Sequence, residues 1–170
     1  MVLLREESRS SIGWRVRVGS VFPAYATSDG KALLSELTER ELDNLYPQEN
    51  LPIITSKTIR TKTALKLELE QIRKTGVAFH VEENFEGVFG VASVIRDASG
   101  KSVAAMSTGM PLYRLNEAKR EMLIDSVKTG TGVISCRLGY YGDNYDVRTI
   151  SELNSWINQR EMISKQTSLV

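Results

Sequence analysis

The stretch Gly87–Gly109, GVFGVASVIRDASGKSVAAMSTG, constrains the fold more than any other part of the chain. Its two apolar runs, one from Val88 to Ile95 and one from Val103 to Met106, are short, β-rich and bounded by Gly and turn residues. That pattern predicts two strands rather than a buried helix. Asp97-Ala98-Ser99-Gly100 supplies the turn between them, with Gly100 suited to a positive φ. The small residues Gly90, Ala92, Ser93, Ser107 and Gly109 leave room on one face of this hairpin. A sheet with room above it is a candidate floor for a ligand pocket.

The rest of the chain supplies helices to cover such a sheet. Thr61–Lys74 is the clearest, with Leu65, Leu69 and Ile72 forming an apolar stripe and Gly76 a C-terminal stop. Thr38-Glu39-Arg40-Glu41 is a capping-box pattern, predicting a helix over Glu39–Tyr46 with Leu42 and Leu45 inward and Pro47 ending it. Ser28-Asp29 offers an N-cap for a helix over Gly30–Leu37 after an extended Pro23-Ala24-Tyr25. Asn116 caps a long helix reaching about Leu138, with Leu123, Val127, Gly130, Ile134 and Leu138 on one stripe. Gly130 and Gly132 inside it mark a kink, a close contact or a frayed second half.

Strands complete the α+β pattern. Met1–Glu7 and Trp14–Val18 read as an N-terminal pair, the second alternating so that Trp14, Val16 and Val18 share a face. Val77–Glu83 follows the Thr61–Lys74 helix as a further strand. After a turn-rich break at Gly139–Asp146, Thr149-Ile150-Ser151-Glu152 opens a last helix carrying Leu153, Trp156 and Ile157. Lys165–Val170 is expected to be loose.

Composition excludes several classes of function. At 170 residues the chain suits one α+β domain, or one domain with an appendage. Its 22 basic and 21 acidic residues give a net charge of +1, so the chain itself has no nucleic-acid signature. The single cysteine, Cys136, excludes an intrachain disulfide and a cysteine-based zinc site. No apolar run approaches the length of a membrane span, and the N-terminus turns polar too soon for a signal peptide. A cytoplasmic protein without metal or other cofactor is expected.

Catalysis finds little support. His80, the only histidine, alternates with Phe79 and Val81 and is expected to point outward. No nucleophile lies near it in sequence. Glu82 and Glu83, adjacent on a strand, face opposite sides and do not form a working carboxylate pair. Lys31 reads as a solvated helix residue. No catalytic residues are assigned, and the chain is read as a non-enzyme.

The ordered set of segments resembles the effector-binding domain of IclR-type transcriptional regulators. The residues that carry the likeness are Tyr25–Leu34 (YATSDGKALL), Leu69–Ala78 (LEQIRKTGVA), Glu82-Glu83-Asn84 with Gly87, Asp97–Gly100, and Arg114-Leu115-Asn116-Glu117. It covers about Leu3 to Gly139. The resemblance implies a GAF-like α+β fold, a curved, mostly antiparallel sheet flanked by helices on both sides. It implies residues 1–139 as the effector domain and residues 140–170 as a C-terminal extension with one helix. It also implies a homodimer or homotetramer, and a small-molecule effector on the sheet's concave face. The family's DNA-binding winged helix-turn-helix is absent from this chain. The chain is thus read as an excised domain, with a stand-alone GAF-like sensor or a pure dimerisation module without ligand as alternatives.

Carried over by motif, the resemblance places effector contacts at Ser28, Asp29, Gly30, Val81, Phe89, Gly90, Ser107, Thr108 and Gly109. Several depart from the members that bind small organic acids. Those often have a small residue in place of Asp29, an acid in place of Val81 and a basic or polar residue in place of Phe89. A pocket less selective for acids is therefore expected, admitting a neutral, amine-bearing or more apolar ligand. In the plainer reading Asp29 is an N-cap and Ser107 and Thr108 only satisfy strand ends.

Overall fold

The computed structural model describes residues 1–6 and 16–142. Three antiparallel strands form its sheet, in the order β1 (Ala78–Val81), β2 (Val88–Arg96), β3 (Ser102–Pro111). The β2–β3 hairpin is the expected one, turning through Asp97–Gly100 with Gly100 at φ +81°. Asp97 holds that turn by accepting the Ser99 and Lys101 N–H groups on its carboxylate.

Helices cover both faces. On one lie α1 (Ser28–Leu34) and α3 (Lys62–Thr75), whose Ala32, Leu34, Leu65, Leu69 and Ile72 pack against Ala78 and Ala92 of the sheet. The short α2 (Glu39–Leu45) closes this cluster with Leu42. On the other face lies α4 (Glu117–Arg137), whose Leu123 and Val127 pack against Phe89 and Val91. The strand alternation that sends Phe89 and Val91 to α4 sends Gly90 and Ala92 to α1.

The helix ends follow their sequence signals with small shifts. The capping box forms: Thr38 Oγ1 accepts the Glu41 N–H and Glu41 accepts the Thr38 N–H. Thr61 caps α3, and Gly76, at φ 72°, ends it by donating its N–H to the Ile72 carbonyl. The cap of α1 is Thr27 rather than Ser28 or Asp29, because the Thr27 hydroxyl accepts the Gly30 N–H at 3.2 Å. The helix accordingly begins at Ser28 and stops at Leu34, and Ala24–Ala26 forms a single 3-10 turn instead of an extended segment.

Other expectations need correction. Leu45 is exposed because α2 is too short to bury more than the Leu42 side of its surface. The buried stripe of α4 is Leu123, Val127, Thr131 and Ser135, a strict fourth-residue spacing, so Ile134 and Leu138 turn outward. Ser135 earns its place inside by accepting the Arg96 N–H on its hydroxyl. Gly130 serves neither a kink nor a frayed end: α4 continues through it, and a Cβ there would lie on the Met106 methyl.

At the N-terminus no strand forms among the described residues. Val2 exchanges backbone hydrogen bonds with Ser20 and Gly19, but the chain turns at Val18–Gly19, leaving Val18 exposed. Trp14, the Ser8–Gly13 loop and the expected helix after Thr149 lie outside the described residues. No helix among the described residues is long and apolar enough to cross a membrane.

Candidate functional site

The site is built where three segments meet on the α1 side of the sheet. The register sets His80 opposite Gly90 and Gly90 opposite Gly109. Neither glycine carries a side chain, and neighbours close in on both: a Cβ on Gly109 would lie 2.7 Å from the Phe89 carbonyl oxygen. A Cβ on Gly90 would lie 3.2 Å from Ser28 Oγ and 3.5 Å from His80 Cβ. Ser28 is buried, and its hydroxyl makes no hydrogen bond among the described residues.

His80 does not point outward. It is 4% exposed, because β1 is an inner-facing strand at that position and the ring packs towards Phe85. Its Nε2 accepts the Asn84 N–H at 3.0 Å. That bond fixes the neutral tautomer, with the proton on Nδ1. Burial, reinforced by the Lys31 ammonium nearby, holds His80 down at about 4.

Beside these residues sits an ion cluster around a buried lysine. Lys31 is fully buried rather than solvated, since α1 presses it between the β1–β2 turn and α3. Its Nζ lies 2.8 and 2.7 Å from the two carboxylate oxygens of Glu83 and 2.5 Å from Glu68 Oε1. Burial pushes the Glu83 carboxyl above the usual range, against the opposing pull of Lys31. The turn that carries Glu83 is pinned from a third direction. Thr58 Oγ1 donates to the Glu83 carbonyl and Thr55 Oγ1 to the Glu82 carbonyl, each at 2.7 Å. Glu82 itself takes a positive φ of 59°, which ends β1 at Val81, two residues short of the expected strand. Next to it, the Asn84 Nδ2 is buried without a partner among the described residues.

The structure sorts the residues expected at the site into three groups. Ser28, Gly90, Ser107 and Gly109 share the α1 side, with Asp29 close enough to act on the His80 charge. Gly30 is shut against the backbone of Ala24, where a Cβ would come within 2.3 Å of the carbonyl oxygen; it seats α1 and faces no open space. Val81, Phe89 and Thr108 lie on the α4 side. Val81 pairs with Phe89, Phe89 packs on Leu123 and Val127, and Thr108 pairs with Val91. At the end of β1 it is His80, not Val81, that shares the α1 side with Gly90.

Sequence reasoning missed His80, Lys31, Glu83 and Asn84. Alternation alone misled for His80, because Val77, Phe79 and Val81 make the more apolar parity, and only the burial of Ala78 shows that its own parity is core too. The Lys31–Glu83 contact spans 52 positions and left no local trace. Among the described residues no group of His, Cys, Asp and Glu could hold a metal ion.

Comparison with known proteins places this arrangement. Residues 1–136 match the family described as bacterial transcriptional regulator IclR C-terminal. The HTH-type transcriptional repressor AllR of Escherichia coli K12 is 35% identical over 133 residues, covering 78% of this chain and 49% of that protein. An HTH-type transcriptional regulator of Haemophilus influenzae is 31% identical over 145 residues, covering 82% of this chain and 53% of that protein. The chain thus spans about half the length of these relatives. Among solved structures, the Thermotoga maritima IclR superposes with a TM-score of 0.72 at 36% identity, over 79% of this chain and 54% of that one. The inducer-binding domain of the Acinetobacter transcription factor PobR, solved with 3-hydroxybenzoic acid, has a TM-score of 0.66 over 79% of this chain and 74% of that one; at 24% identity it speaks for the fold alone. The fold is the GAF-like α+β fold expected, and these relatives are transcriptional regulators rather than enzymes.

Proposed function

Because the chain belongs to the IclR family of bacterial transcriptional regulators, matching its C-terminal effector-binding domain, we propose that it binds a small effector against the α1 side of the sheet. The observation that carries this is the polar set gathered at the Gly90–Gly109 pair, a neutral, buried His80 beside a buried Ser28 hydroxyl without a hydrogen bond. His80 Nδ1–H and the Ser28 hydroxyl are donors suited to a ligand carbonyl or hydroxyl. Gly90 and Gly109 let the ligand approach the backbone.

The effector is neutral or amine-bearing. Glu68 and Glu83 hold one lysine, Lys31, while Asp29 lies close enough to act on His80 without a salt bridge of its own among the described residues. The local field therefore opposes a second negative charge. Binding is coupled to DNA through a winged helix-turn-helix outside residues 1–139, in a homodimer or homotetramer acting in the cytoplasm. Residues 140–170 form an extension to the effector domain.

A thermal-shift titration against organic acids, aromatic acids, amines and neutral sugars tests this. A ligand that binds only the folded state adds about 2.7 kcal/mol at a hundredfold excess over Kd. One neutral or amine class should raise the melting temperature, and Gly90→Val should abolish the rise. Submillimolar binding of a simple dicarboxylate beside Asp29 would refute the charge argument. A rise that survives Gly90→Val would refute the location. No rise with any compound would favour a dimerisation module with a closed interior.

A further inference from the structure

A crevice at the other end of the sheet takes no part in that reading. β1 stops opposite Ala92, so β2 runs on from Ser93 to Arg96 with no strand on that side among the described residues. Helix α4 stands in for the strand, where Ser135 Oγ accepts the Arg96 N–H at 2.9 Å. Between α4 and the C-terminal ends of α1 and α3 this leaves a cavity of 250 Å³.

The charges around it do not balance. Arg73, Arg96 and Lys128 line the cavity with a single acid, Glu36. Arg96 and Glu36 cancel each other through two short contacts of 2.6 and 2.9 Å. Arg73 gives its donors to the carbonyls that follow α1, those of Ser35 at 2.7 Å and Leu37 at 3.3 Å, and has no carboxylate partner among the described residues. The Lys128 side chain makes no hydrogen bond or ion pair among the described residues. Two positive charges thus face a hollow whose remaining wall mixes the hydroxyl residues Ser93, Thr131 and Ser135 with apolar Ala32, Ile72 and Val94.

Each wall element has a reason to stay in place. Ser93 Oγ donates to the Gly76 carbonyl at 2.9 Å, tying the end of α3 to β2. Thr131 and Ser135 return their hydroxyls to the carbonyls of α4. The hollow is therefore formed before any ligand arrives, and its volume falls below the ~300–1,000 Å³ of drug-sized pockets. The counter-charge it lacks is small and negative.

We propose that this crevice is a second small-molecule site, selective for a small organic anion whose carboxylate or phosphate lies between Arg73 and Lys128. It is independent of the effector site at Gly90 and has the opposite charge preference.

The test is an NMR titration of the full chain with inorganic phosphate and with succinate, each against chloride at equal ionic strength. The chain offers separate reporters, with Gly76 and Gly132 lining the crevice and Gly90 and Gly109 at the effector site. Saturable shifts at Gly76 and Gly132 are expected with at least one of the two anions. Lys128→Gln should weaken that binding about fivefold, the loss of one charge contact near the surface. Chloride should not reproduce the shifts. An equal response to chloride, an unchanged affinity in Lys128→Gln, or no saturable shift with either anion overturns the proposal. Shifts confined to Gly90 and Gly109 overturn it too, and would in addition contradict the charge preference assigned to the effector site. A neutral ligand that moves Gly90 and Gly109 would leave the effector reading standing whatever happens at the crevice.

Discussion

The single histidine makes the central electrostatic argument directly measurable. His80 is buried at 4% exposure and accepts a backbone N–H on Nε2, and its folded pKa lies at about 4 against 6.5 for the free side chain. The unfolded chain therefore takes up a proton as pH falls through 6.5, while the folded chain stays neutral until about 4. Protonation over that window stabilises the unfolded state, so His80 contributes stability that is complete above 6.5 and lost as pH falls towards 4. At ~1.4 kcal/mol for each pH unit, the loss is of order 3 kcal/mol. One imidazole gives one set of ring resonances, and their titration should show a midpoint well below 5. Denaturant unfolding of the protein and of His80→Gln across the same pH range supplies the second readout. Gln keeps an acceptor for the Asn84 N–H but takes up no proton, and the carboxylates, Glu83 included, cancel in the comparison. The stability difference between the two proteins should fall by roughly 3 kcal/mol from neutral pH to pH 4. A ring midpoint between 6 and 7, or a stability difference independent of pH, would show that the imidazole meets water, and the neutral-donor description of the site would fail.

Further expectations concern stability. Lys31→Met leaves the buried Glu83 without its cation, beside a half-buried Glu68, and should cost about 3–5 kcal/mol in denaturant unfolding. Lys31→Met combined with Glu83→Leu should recover most of that loss; a double variant as unstable as the single one would contradict the pairing. Gly30→Ala sets a Cβ against the Ala24 backbone, which has nowhere to go, and should cost 1–3 kcal/mol or more, read as a lower melting temperature. Gly130→Ala meets only the flexible tip of Met106 and gains ~1 kcal/mol of helix propensity, so its net effect should stay within about 1 kcal/mol of zero. A large loss from Gly130→Ala would show that Met106 is locked in place.

What the sequence disclosed follows how local each signal is. The capping box at Thr38, the stripe of α3 with its Gly76 stop, and the Asp97–Gly100 hairpin are complete within a few residues, and each appears as expected. The outward direction expected for His80 failed, because a strand read in isolation has two faces and only the pairing of His80 with Gly90 decides between them. The outer half of α4 failed for a related reason. Which of two neighbouring stripes is buried was decided by Ser135 meeting the Arg96 N–H, a contact across 39 positions. The burial of Lys31 was hidden because its partners lie 37 and 52 positions away, and a lysine near a helix start reads as solvated until they are known.

The turn at residues 82–84 has a mechanical consequence for any ligand that reaches Gly90. Lys31 grips its carboxylate, Thr55 and Thr58 hold its carbonyls, and His80 receives its N–H. The wall beside Gly90 is thereby braced from three separate parts of the chain before a ligand arrives. Little entropy remains to be lost there on association, so affinity is set by the fit of the ligand rather than by the ordering of the protein. A guest of the wrong shape meets a wall that does not yield, and selectivity at this site is a matter of stiffness as much as of chemistry.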